Sequence, residues 1–472
     1  MCVGAVTGMV TSCATSICAS MTCCACSKAM GKLSTATRMV YAILLFIAIL
    51  ASAAMLTDSV SAAIKDALSE RWWGGFLEGQ ILPTVPKETV GALAVYRVMM
   101  GVVIFHAILA CCLCGVRSTS DVRSKLQNDL WCVKIPLLIG LIVAMFFLPG
   151  ELVLGVGPWF KVGGFLFTFL QLMFLCAFSF DIYEDLLSWG EAEEAGDSGC
   201  CEAGCFGNRI IWWNWLTVLL CLGSYGFCIF TFVAIVIVNN NHEEGCWIGV
   251  MAGLINMIMM VVVTGFSISN FVRDAPNGAG HRNGVFQSGI VSAYACYLVF
   301  SAMVNSPDPT PGDWEMNCHV MGIAHGSGWM KIVGLFFVFT SVLWSAIRSG
   351  GNAFFASPMD TADAEAPLLA APVNENGEAT GEKADDETED EGGVTYSYTR
   401  FHIMFALAAC YCAMLLTRWG EVVTTDRDGS TELDLHDSTL SVWLKVVSSL
   451  LCYLIYIWAM VAPPLCPDRD FS

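Results

Sequence analysis

The chain has 472 residues, of which 56% are apolar and only 14% are charged. Soluble domains carry about 25% charged residues, so this composition excludes an ordinary soluble enzyme and a disordered protein. The net charge of −19 argues against a nucleic-acid partner, because binding to phosphates needs a basic surface. Together with a mean hydropathy of +0.63, these values predict an all-α, polytopic helical membrane protein.

The chain begins with a cysteine-rich segment, residues 1–37, that holds six cysteines within its first 26 positions. Its first cation is Lys28, whereas a secretory signal peptide carries positive charge before its apolar core. We therefore interpret residues 1–37 as a membrane-associated segment and not as a cleaved signal.

Ten apolar stretches follow, each close to the roughly 20 residues that a helix needs to cross a bilayer. We predict transmembrane helices at 38–57, 91–114, 132–149, 158–188, 210–238, 246–269, 285–304, 329–348, 401–417 and 441–463. At about 1.5 Å per residue, the fourth stretch is longer than the hydrocarbon is thick. We predict that 158–188 is a long helix that tilts strongly or leaves the membrane.

The sequence divides around an acidic segment between the eighth and ninth helices. Between Asp360 and Glu391 there are twelve acidic residues and one lysine, a local charge of −11. Low apolar content with high charge is typical of disordered chain. We predict spans 1–8 within 38–348, a disordered cytoplasmic loop at 349–400, spans 9–10 within 401–463, and a cytoplasmic tail at 464–472. The loop is either a solvating linker or a site for trafficking adaptors, since Glu365 precedes the pair Leu368-Leu369.

The distribution of Lys and Arg indicates the orientation of the chain. With a cytoplasmic N-terminus, fourteen of the twenty-three Lys and Arg residues fall on the cytoplasmic side. Ten spans return the C-terminus to that side, so we predict that both termini are cytoplasmic. We expect the endomembrane system (ER or Golgi) or the plasma membrane as the location.

Several cysteines fall at predicted membrane boundaries. Juxtamembrane cytoplasmic cysteines are candidates for S-palmitoylation, although small apolar packing residues are an alternative interpretation. The palmitoylation candidates are Cys23, Cys24, Cys26, Cys111, Cys112 and Cys114. Cys246 and Cys318 lie in predicted outer loops, where an oxidising compartment favours a disulfide between them.

No motif in the sequence predicts a catalytic, metal or cofactor site. The nucleophile-elbow, zinc-protease, P-loop and dinucleotide-binding patterns are all missing from the sequence. The sequence has no clean pair of Cys-x-x-Cys motifs with a histidine nearby that would hold structural zinc. We expect a protein that is not an enzyme and that uses no metal or cofactor.

Polar residues within predicted spans are few. Because polar groups are costly in hydrocarbon, we consider a functional role for each of them. Lys134 follows Trp131, the pattern of an interfacial anchor with a snorkelling ammonium group. His106 is interpreted as a hydrogen-bonded packing residue. Arg97 lies about one and a half turns inside its span, so we expect it to pair with a carboxylate or to lie beside a hydrated cavity.

Asp181 and Glu184 are three residues apart and share one face of the long helix. They mark the point where this helix leaves the hydrocarbon, or they line a polar groove for lipid headgroups. The sequence leaves both interpretations open.

Several blocks of the sequence, taken together and in order, resemble the Serinc (serine incorporator) family. These blocks are Ser34–Tyr41, Tyr96-Arg97, Gly115–Arg123, Trp131–Lys134, Tyr297–Asn305, Ser345–Arg348, Val394–Tyr398, Phe401-His402, Val442–Lys445, Val461–Pro463 and Asp468–Phe471. The resemblance implies ten helices in two sub-bundles, with a long tilted crossing helix and lipid-facing clefts beside it. It also implies either of two roles, namely scrambling of phospholipids or supply of serine for phosphatidylserine and sphingolipid synthesis.

The chain differs from the family pattern at one place on the crossing helix. The pair Gln171-Leu172 is present, but the family's intramembrane Asp position falls on Ala177 and its His position falls near Phe180. Asp181 follows four residues after the expected Asp.

From the resemblance and the residues we predict a protein that binds phospholipids and scrambles them, phosphatidylserine included, without an energy source. The alternative is a serine carrier or a scaffold for phosphatidylserine and sphingolipid biosynthesis. The predicted partners are membrane phospholipids, sterols and sphingolipids. The predicted lipid-binding residues are Gln171, Asp181 and Glu184, with Arg97 as their pairing partner.

Overall fold

A computed structural model of the chain describes twelve stretches of residues. They are 33–69, 87–148, 150–194, 209–241, 247–273, 284–304, 328–348, 394, 396–417, 419–427, 430–436 and 439–465. Within these stretches the regular secondary structure is helical, apart from one β-hairpin.

The described helices and strands are numbered here in chain order. They are α1 Leu33–Met55, α2 Asp58–Ser69, α3 Lys87–Cys112, α4 Ser124–Asn128, α5 Trp131–Phe146, α6 Gly150–Glu194, α7 Arg209–Asn241, α8 Trp247–Ile268, α9 Asn270–Arg273, α10 Val285–Val304, α11 Gly328–Arg348, α12 Tyr398–Leu416, β1 Glu421–Arg427, β2 Ser430–His436 and α13 Thr439–Leu465.

The helices confirm the predicted class of polytopic helical membrane protein. Eight described helices are long and apolar enough to cross a bilayer, and the apolar stretches Trp131–Phe146 and Ile332–Ala346 are shorter. Each of these ten segments overlaps one predicted span.

The fourth predicted span is part of the longest described helix. Helix α6 has 45 residues, and its apolar part, Gly155–Tyr183, has 29. At 1.5 Å per residue the whole helix is about 67 Å long, roughly twice the thickness of the hydrocarbon core. It therefore extends beyond the hydrocarbon at one end or both, or tilts strongly.

The β-hairpin between α12 and α13 was not predicted. Its strands pair antiparallel, from Glu421 opposite His436 to Arg427 opposite Ser430. The local sequence carries the signal for it, because Val422-Val-Thr-Thr425 is β-branched and Asp428-Gly429 is a favoured two-residue hairpin turn. The criterion of a long apolar stretch, which identifies membrane spans, does not identify such a short polar element.

The chain divides into two compact units, which agrees with the predicted two sub-bundles. The first unit comprises Met1–Leu68, Val90–Val156 and Val342–Ala413. Within it, α3 and α5 approach so closely that a Cβ atom on Gly101 would lie 2.8 Å from the Cα atom of Ile142. Only glycine fits at this crossing, as at many contacts between membrane helices.

The second unit comprises Ser69–Thr89, Gly157–Ser341 and Met414–Ser472. Its centre is α10, which packs against α7, α8 and α13. In α10, 83% of the apolar window is buried, compared with 22% in α7. The second unit is thus built around one enclosed helix, whereas α7 leaves most of its surface for lipid.

Candidate functional site

Helix α6 presents one broad apolar face to its surroundings. Its exposed side chains recur at helical spacing, and Trp159 is 74% exposed. The other exposed members are Val162, Phe165, Leu166, Phe169 and Met173. In a bilayer such a face contacts lipid tails, so α6 is a lipid-facing helix over most of its apolar length.

The opposite face of α6 carries the first predicted site residue, Gln171. It lies near the midpoint of the apolar part of α6, its side chain is 1% exposed, and its amide oxygen Oε1 has no hydrogen-bond partner among the described residues. An unpaired buried acceptor costs about 1–3 kcal/mol. Gln171 is therefore a polar group at mid-membrane depth with unused hydrogen-bonding capacity.

The two predicted carboxylates lie further along the same helix. Asp181 is partly exposed, ten residues after Gln171, or about 15 Å along the axis. The backbone of Glu184 is helical, but its side chain lies outside the described part of the structure. The intervening Ala177, at the family's Asp position, is half-buried.

Arg97 lies in the first unit, on α3, with 9% of its side chain exposed. Its Nη2 atom donates a hydrogen bond to the carbonyl oxygen of Leu148 at 3.3 Å, and its Nε atom has no partner among the described residues. No ion pair to a described carboxylate accompanies this contact. Its pairing with the α6 residues, which belong to the second unit from Gly157 onward, stays a prediction.

The first unit also contains a buried polar cluster that the sequence analysis did not assemble. Lys134 is 1% exposed, so the prediction of a snorkelling ammonium group was wrong. Its Nζ atom donates to the Tyr41 hydroxyl at 3.1 Å and to the Gln127 carbonyl at 2.9 Å, and it lies 3.6 Å from the centre of the Trp131 ring. Two acceptors and an aromatic face replace water around the ammonium group.

A chain of hydrogen bonds continues from Gln127 through two histidines. The Tyr396 hydroxyl accepts from Gln127 Nε2 at 3.0 Å, and His402 Nε2 donates to Gln127 Oε1 at 2.7 Å. His402 Nδ1 is 2.9 Å from His106 Nδ1. Because neutral His402 uses its only proton toward Gln127, His106 must donate in this contact. The prediction that His106 is a hydrogen-bonded packing residue is confirmed.

This cluster joins segments that are far apart in sequence. His106 and His402 are separated by 296 positions, and Gln127 and Tyr396 by 269. The Arg38 guanidinium also lies 5.0 Å from the Tyr396 ring centre. No local pattern could have identified these partners, although the blocks used for the family resemblance contain three of the residues named in this paragraph, namely Arg38, Tyr396 and His402.

The cysteines at the end of α3 lie on the protein surface. Cys111, Cys112 and Cys114 are exposed free thiols, whereas the intervening Leu113 is buried. The loop after them is held by Arg123, which donates to the Cys114 carbonyl at 2.8 Å and pairs with Asp121 at the same distance. Hydrogen bonds from Arg123 hold the pKa of the exposed Asp121 below its usual value.

Five other cysteines named in the sequence analysis lie outside the described residues, namely Cys23, Cys24, Cys26, Cys246 and Cys318. Palmitoylation of the first three and the disulfide between the last two stay predictions. Among the described residues, no group of three or more His, Cys, Asp or Glu side chains could hold a metal ion.

Comparisons with known proteins identify one family along nearly the whole chain. A family model described as serine incorporator (Serinc) matches residues 11–469. A "Probable serine incorporator" of Nematostella vectensis is 32% identical over 463 residues, covering 93% of this chain and 92% of the relative.

Two further relatives are similar over comparable lengths. "Serine incorporator 2" of Homo sapiens is 29% identical over 480 residues, covering 98% of each chain. "Membrane protein TMS1" of Saccharomyces cerevisiae is 26% identical over 479 residues, covering 94% of this chain and 92% of the relative. The similarity therefore extends over all ten membrane segments.

Proposed function

Because this chain belongs to the serine incorporator (Serinc) family, we propose that it is a non-enzymatic membrane protein that binds phospholipids and scrambles them between leaflets. The phospholipids include phosphatidylserine, and the movement needs no energy source. We place this activity in the endomembrane system or the plasma membrane, with both termini in the cytoplasm.

The physical problem in scrambling is the passage of a polar headgroup through hydrocarbon. Moving a charged group to the bilayer centre costs several kcal/mol or more, because no water or hydrogen-bond partner replaces its hydration shell. A protein lowers this barrier when it offers polar groups at intermediate depths while the acyl tails remain in lipid. No covalent bond changes, so no catalytic residue is needed.

Helix α6 supports this mechanism through the arrangement of its two faces. Its exposed apolar side chains, such as Trp159 and Phe169, suit contact with acyl tails. Gln171 and Asp181 are polar positions about 15 Å apart along the same helix, and Asp181 is turned by about 80° around the helix axis from Gln171. Glu184, one turn beyond Asp181, extends this series toward the cytoplasmic end.

The observation that carries the proposal is the unpaired amide oxygen of Gln171 at mid-membrane depth. A carboxamide oxygen can accept a hydrogen bond from a headgroup ammonium or hydroxyl group. Because the side chain is buried, a headgroup reaches it only when a neighbouring helix moves aside. Scrambling would then depend on Gln171 even though its amide is inaccessible at rest.

The test is scrambling by the purified, full-length protein in liposomes. Fluorescent phosphatidylserine and phosphatidylcholine in the outer leaflet are bleached with dithionite, beside protein-free vesicles. We expect wild type to lose signal well beyond one half. Loss of one hydrogen bond of about 1–1.4 kcal/mol in the transition state slows the exchange about five- to tenfold, which we expect for Gln171→Leu.

The matched control is Met173→Leu, which changes an exposed apolar residue two positions away. It is expected to scramble at the wild-type rate. The double variant Asp181→Ala, Glu184→Ala tests the cytoplasmic end of the same path. A plateau at one half for wild type, in vesicles that contain folded protein, would reject scrambling as the function.

The second candidate function is that of a serine carrier, or of a scaffold, that supports phosphatidylserine and sphingolipid synthesis. It is favoured by the names of the relatives, several of which are called serine incorporators. Saturable binding of radiolabelled L-serine to the purified protein, displaced by unlabelled L-serine but not by D-serine, would support a carrier. Scrambling without serine binding would exclude the carrier and support the first candidate.

A further inference from the structure

The first unit encloses two cations at membrane depth, and their surroundings differ sharply. The Lys134 ammonium group has two oxygen acceptors and the face of the Trp131 ring. The Arg97 guanidinium has five N–H groups, and one of them donates to the Leu148 carbonyl oxygen at 3.3 Å. Its Nε atom, in a side chain that is only 9% exposed, has no partner among the described residues.

The charge of Arg97 calls for an anionic partner. An arginine side chain is a permanent cation in proteins, and a buried cation is costly unless an opposite charge balances it. The Leu148 carbonyl group is neutral, and no carboxylate among the described residues forms an ion pair with Arg97. The partner that this guanidinium still needs is therefore an anion that also accepts hydrogen bonds.

The depth of Arg97 indicates which anion is within reach. Arg97 lies seven residues from the start of the apolar window Val90–Cys112, about 10 Å along the helix. Its bond to Leu148 places the guanidinium at the end of α5, whose 16 residues span about 24 Å. This is less than the hydrocarbon thickness of about 30 Å, and a bilayer adapts to a short helix by thinning. Thinning brings lipid headgroups toward the end of α5, where Arg97 lies.

The surface of α5 that leads to this point is apolar and exposed. Ile139, Val143 and Phe147 recur every four residues and are 44%, 50% and 50% exposed. Residues four apart lie on one face of a helix, so these three form one stripe, which we call the α5 stripe. A Cβ atom on the neighbouring Gly140 would meet nothing within 4 Å. An acyl chain that lies along the α5 stripe therefore has its headgroup at the level of Leu148.

We propose that the phosphate group of a membrane phospholipid binds the Arg97 guanidinium at the end of α5, with an acyl chain along the α5 stripe. A guanidinium group can donate two parallel hydrogen bonds to a phosphate, and such charged pairs are stronger than bonds to a neutral carbonyl. The phosphate takes the place of the carboxylate that the sequence analysis expected beside Arg97. The proposal rests on the proposed function only in that the protein binds phospholipids, and it uses no residue of α6.

Lipid binding to the purified, full-length protein in detergent tests this proposal. Phosphatidylglycerol, phosphatidylcholine and diacylglycerol with identical acyl chains are added to delipidated protein, and the first bound lipid is measured by native mass spectrometry. We expect wild type to bind both phospholipids at least about tenfold more tightly than diacylglycerol, which lacks the phosphate. In Arg97→Gln we expect this preference to fall at least about fivefold. Because sn-glycerol 3-phosphate has no acyl chain, we expect it not to displace the lipid, which distinguishes a lipid phosphate from a free one.

Two variants serve as controls for charge. Lys125→Gln removes a positive charge from an exposed position on α4, and we expect it to bind all three lipids as wild type does. Glu151 follows Leu148 by three positions, and its side chain lies outside the described part of the structure. If Glu151 were the counter-ion of Arg97, Glu151→Gln would free the guanidinium and tighten the binding of phosphatidylglycerol. We expect no change in this variant.

Thermal unfolding without lipid shows whether each variant is folded. An unchanged preference in folded Arg97→Gln, or tighter binding in Glu151→Gln, would overturn the proposal. If Arg97→Gln does not fold, the wild-type comparison still decides, because equal binding of phosphatidylglycerol and diacylglycerol would also overturn it. Detergent micelles have no leaflets, so a failure of scrambling in liposomes would leave this result unaffected.

Discussion

At the scale of the residue, Lys134 illustrates how a correct local pattern can lead to a wrong placement. The spacing of Trp131 and Lys134 correctly predicted that the cation and the aromatic ring belong together. What the spacing could not show is that Tyr41 and Gln127 enclose the ammonium group from other helices. The hydrogen bond between Lys134 and Tyr41 joins residues 93 positions apart, so it depends on tertiary packing, which one sequence does not display.

The buried cluster around Gln127 leads to a stability prediction. Gln127→Leu removes the side-chain hydrogen bonds from Gln127 to Tyr396 and His402, at about 1–3 kcal/mol for each bond lost at a buried polar group. We expect the Tm of the purified protein to fall by about 2–6 °C. Thermal unfolding in detergent measures this, with Lys125→Leu as the control because Lys125 is exposed on the same short helix, α4. Equal Tm values for the two variants would contradict a structural role for the cluster.

The exposed thiols at the end of α3 lead to a prediction of S-acylation. A thiolate of Cys111, Cys112 or Cys114 attacks the thioester carbonyl of a long-chain acyl-CoA, and the CoA thiol leaves. We expect hydroxylamine-sensitive mass tags that decrease when all three are changed to serine. Changing the buried Cys410 and Cys412 to serine is the control. Tags that persist unchanged in the triple variant would assign the modification to other cysteines.

At the scale of the element, the sequence predicted the membrane helices well and the hairpin not at all. The ten apolar segments follow from the length of the hydrocarbon, which requires about 20 residues of any helix. The stretch at 158–188 predicted a helix of exceptional length, although α6 begins earlier, at Gly150, and continues to Glu194. The hairpin at Glu421–His436 has only local turn and strand signals, which are weaker than the signal of a membrane span.

The contact between α3 and α5 leads to a prediction on helix packing. In Gly101→Ala the added methyl group would lie 2.8 Å from the Ile142 backbone, which cannot move aside without separating the helices. We expect a loss of stability of about 1–3 kcal/mol from this overpacking, seen as a lower Tm in detergent. Gly140→Ala on α5 is the control, because nothing lies within 4 Å of its added Cβ atom. A neutral Gly101→Ala would show that the helices can separate freely.

At the scale of the whole molecule, the composition was sufficient to predict a polytopic membrane protein. The sequence blocks, taken in order, were sufficient to predict the family. The two compact units were expected from the family resemblance alone, because their cores join segments far apart in the chain. The predicted site residues fall in both units, Arg97 in the first and Gln171 in the second. Their pairing is beyond what spacing along a chain can decide.

The orientation of the chain can be tested with single substitutions. Asp428→Asn creates the sequence Asn-Gly-Ser in the turn of the hairpin, and Arg117→Asn creates Asn-Ser-Thr in the loop after α3. The native sequence has no such acceptor site. At about 3.3 Å per residue, each seven-residue strand of the hairpin is about 23 Å long. The predicted topology places this hairpin on the lumenal side, where the glycosylation machinery acts.

We expect the Asp428→Asn chain to gain one N-linked glycan and the Arg117→Asn chain to gain none. A shift in electrophoretic mobility that is reversed by glycosidase treatment measures the outcome. The reverse pattern would invert the predicted topology and place both termini outside the cytoplasm.

The enclosure of α10 has a consequence for how the protein is made. Among the eight helices long enough to span a bilayer, α10 is the least apolar, and its serines face α13, which follows 135 positions after α10 ends. At about 5–20 residues per second of synthesis, roughly 7–27 seconds pass before that partner exists. During this interval the nascent helix enters the membrane with its polar side uncovered. Helices α7 and α8 are synthesised before α10 and pack against it, so we expect them to hold α10 in the membrane during this interval. The order in which the helices are synthesised therefore contributes to the assembly of this core.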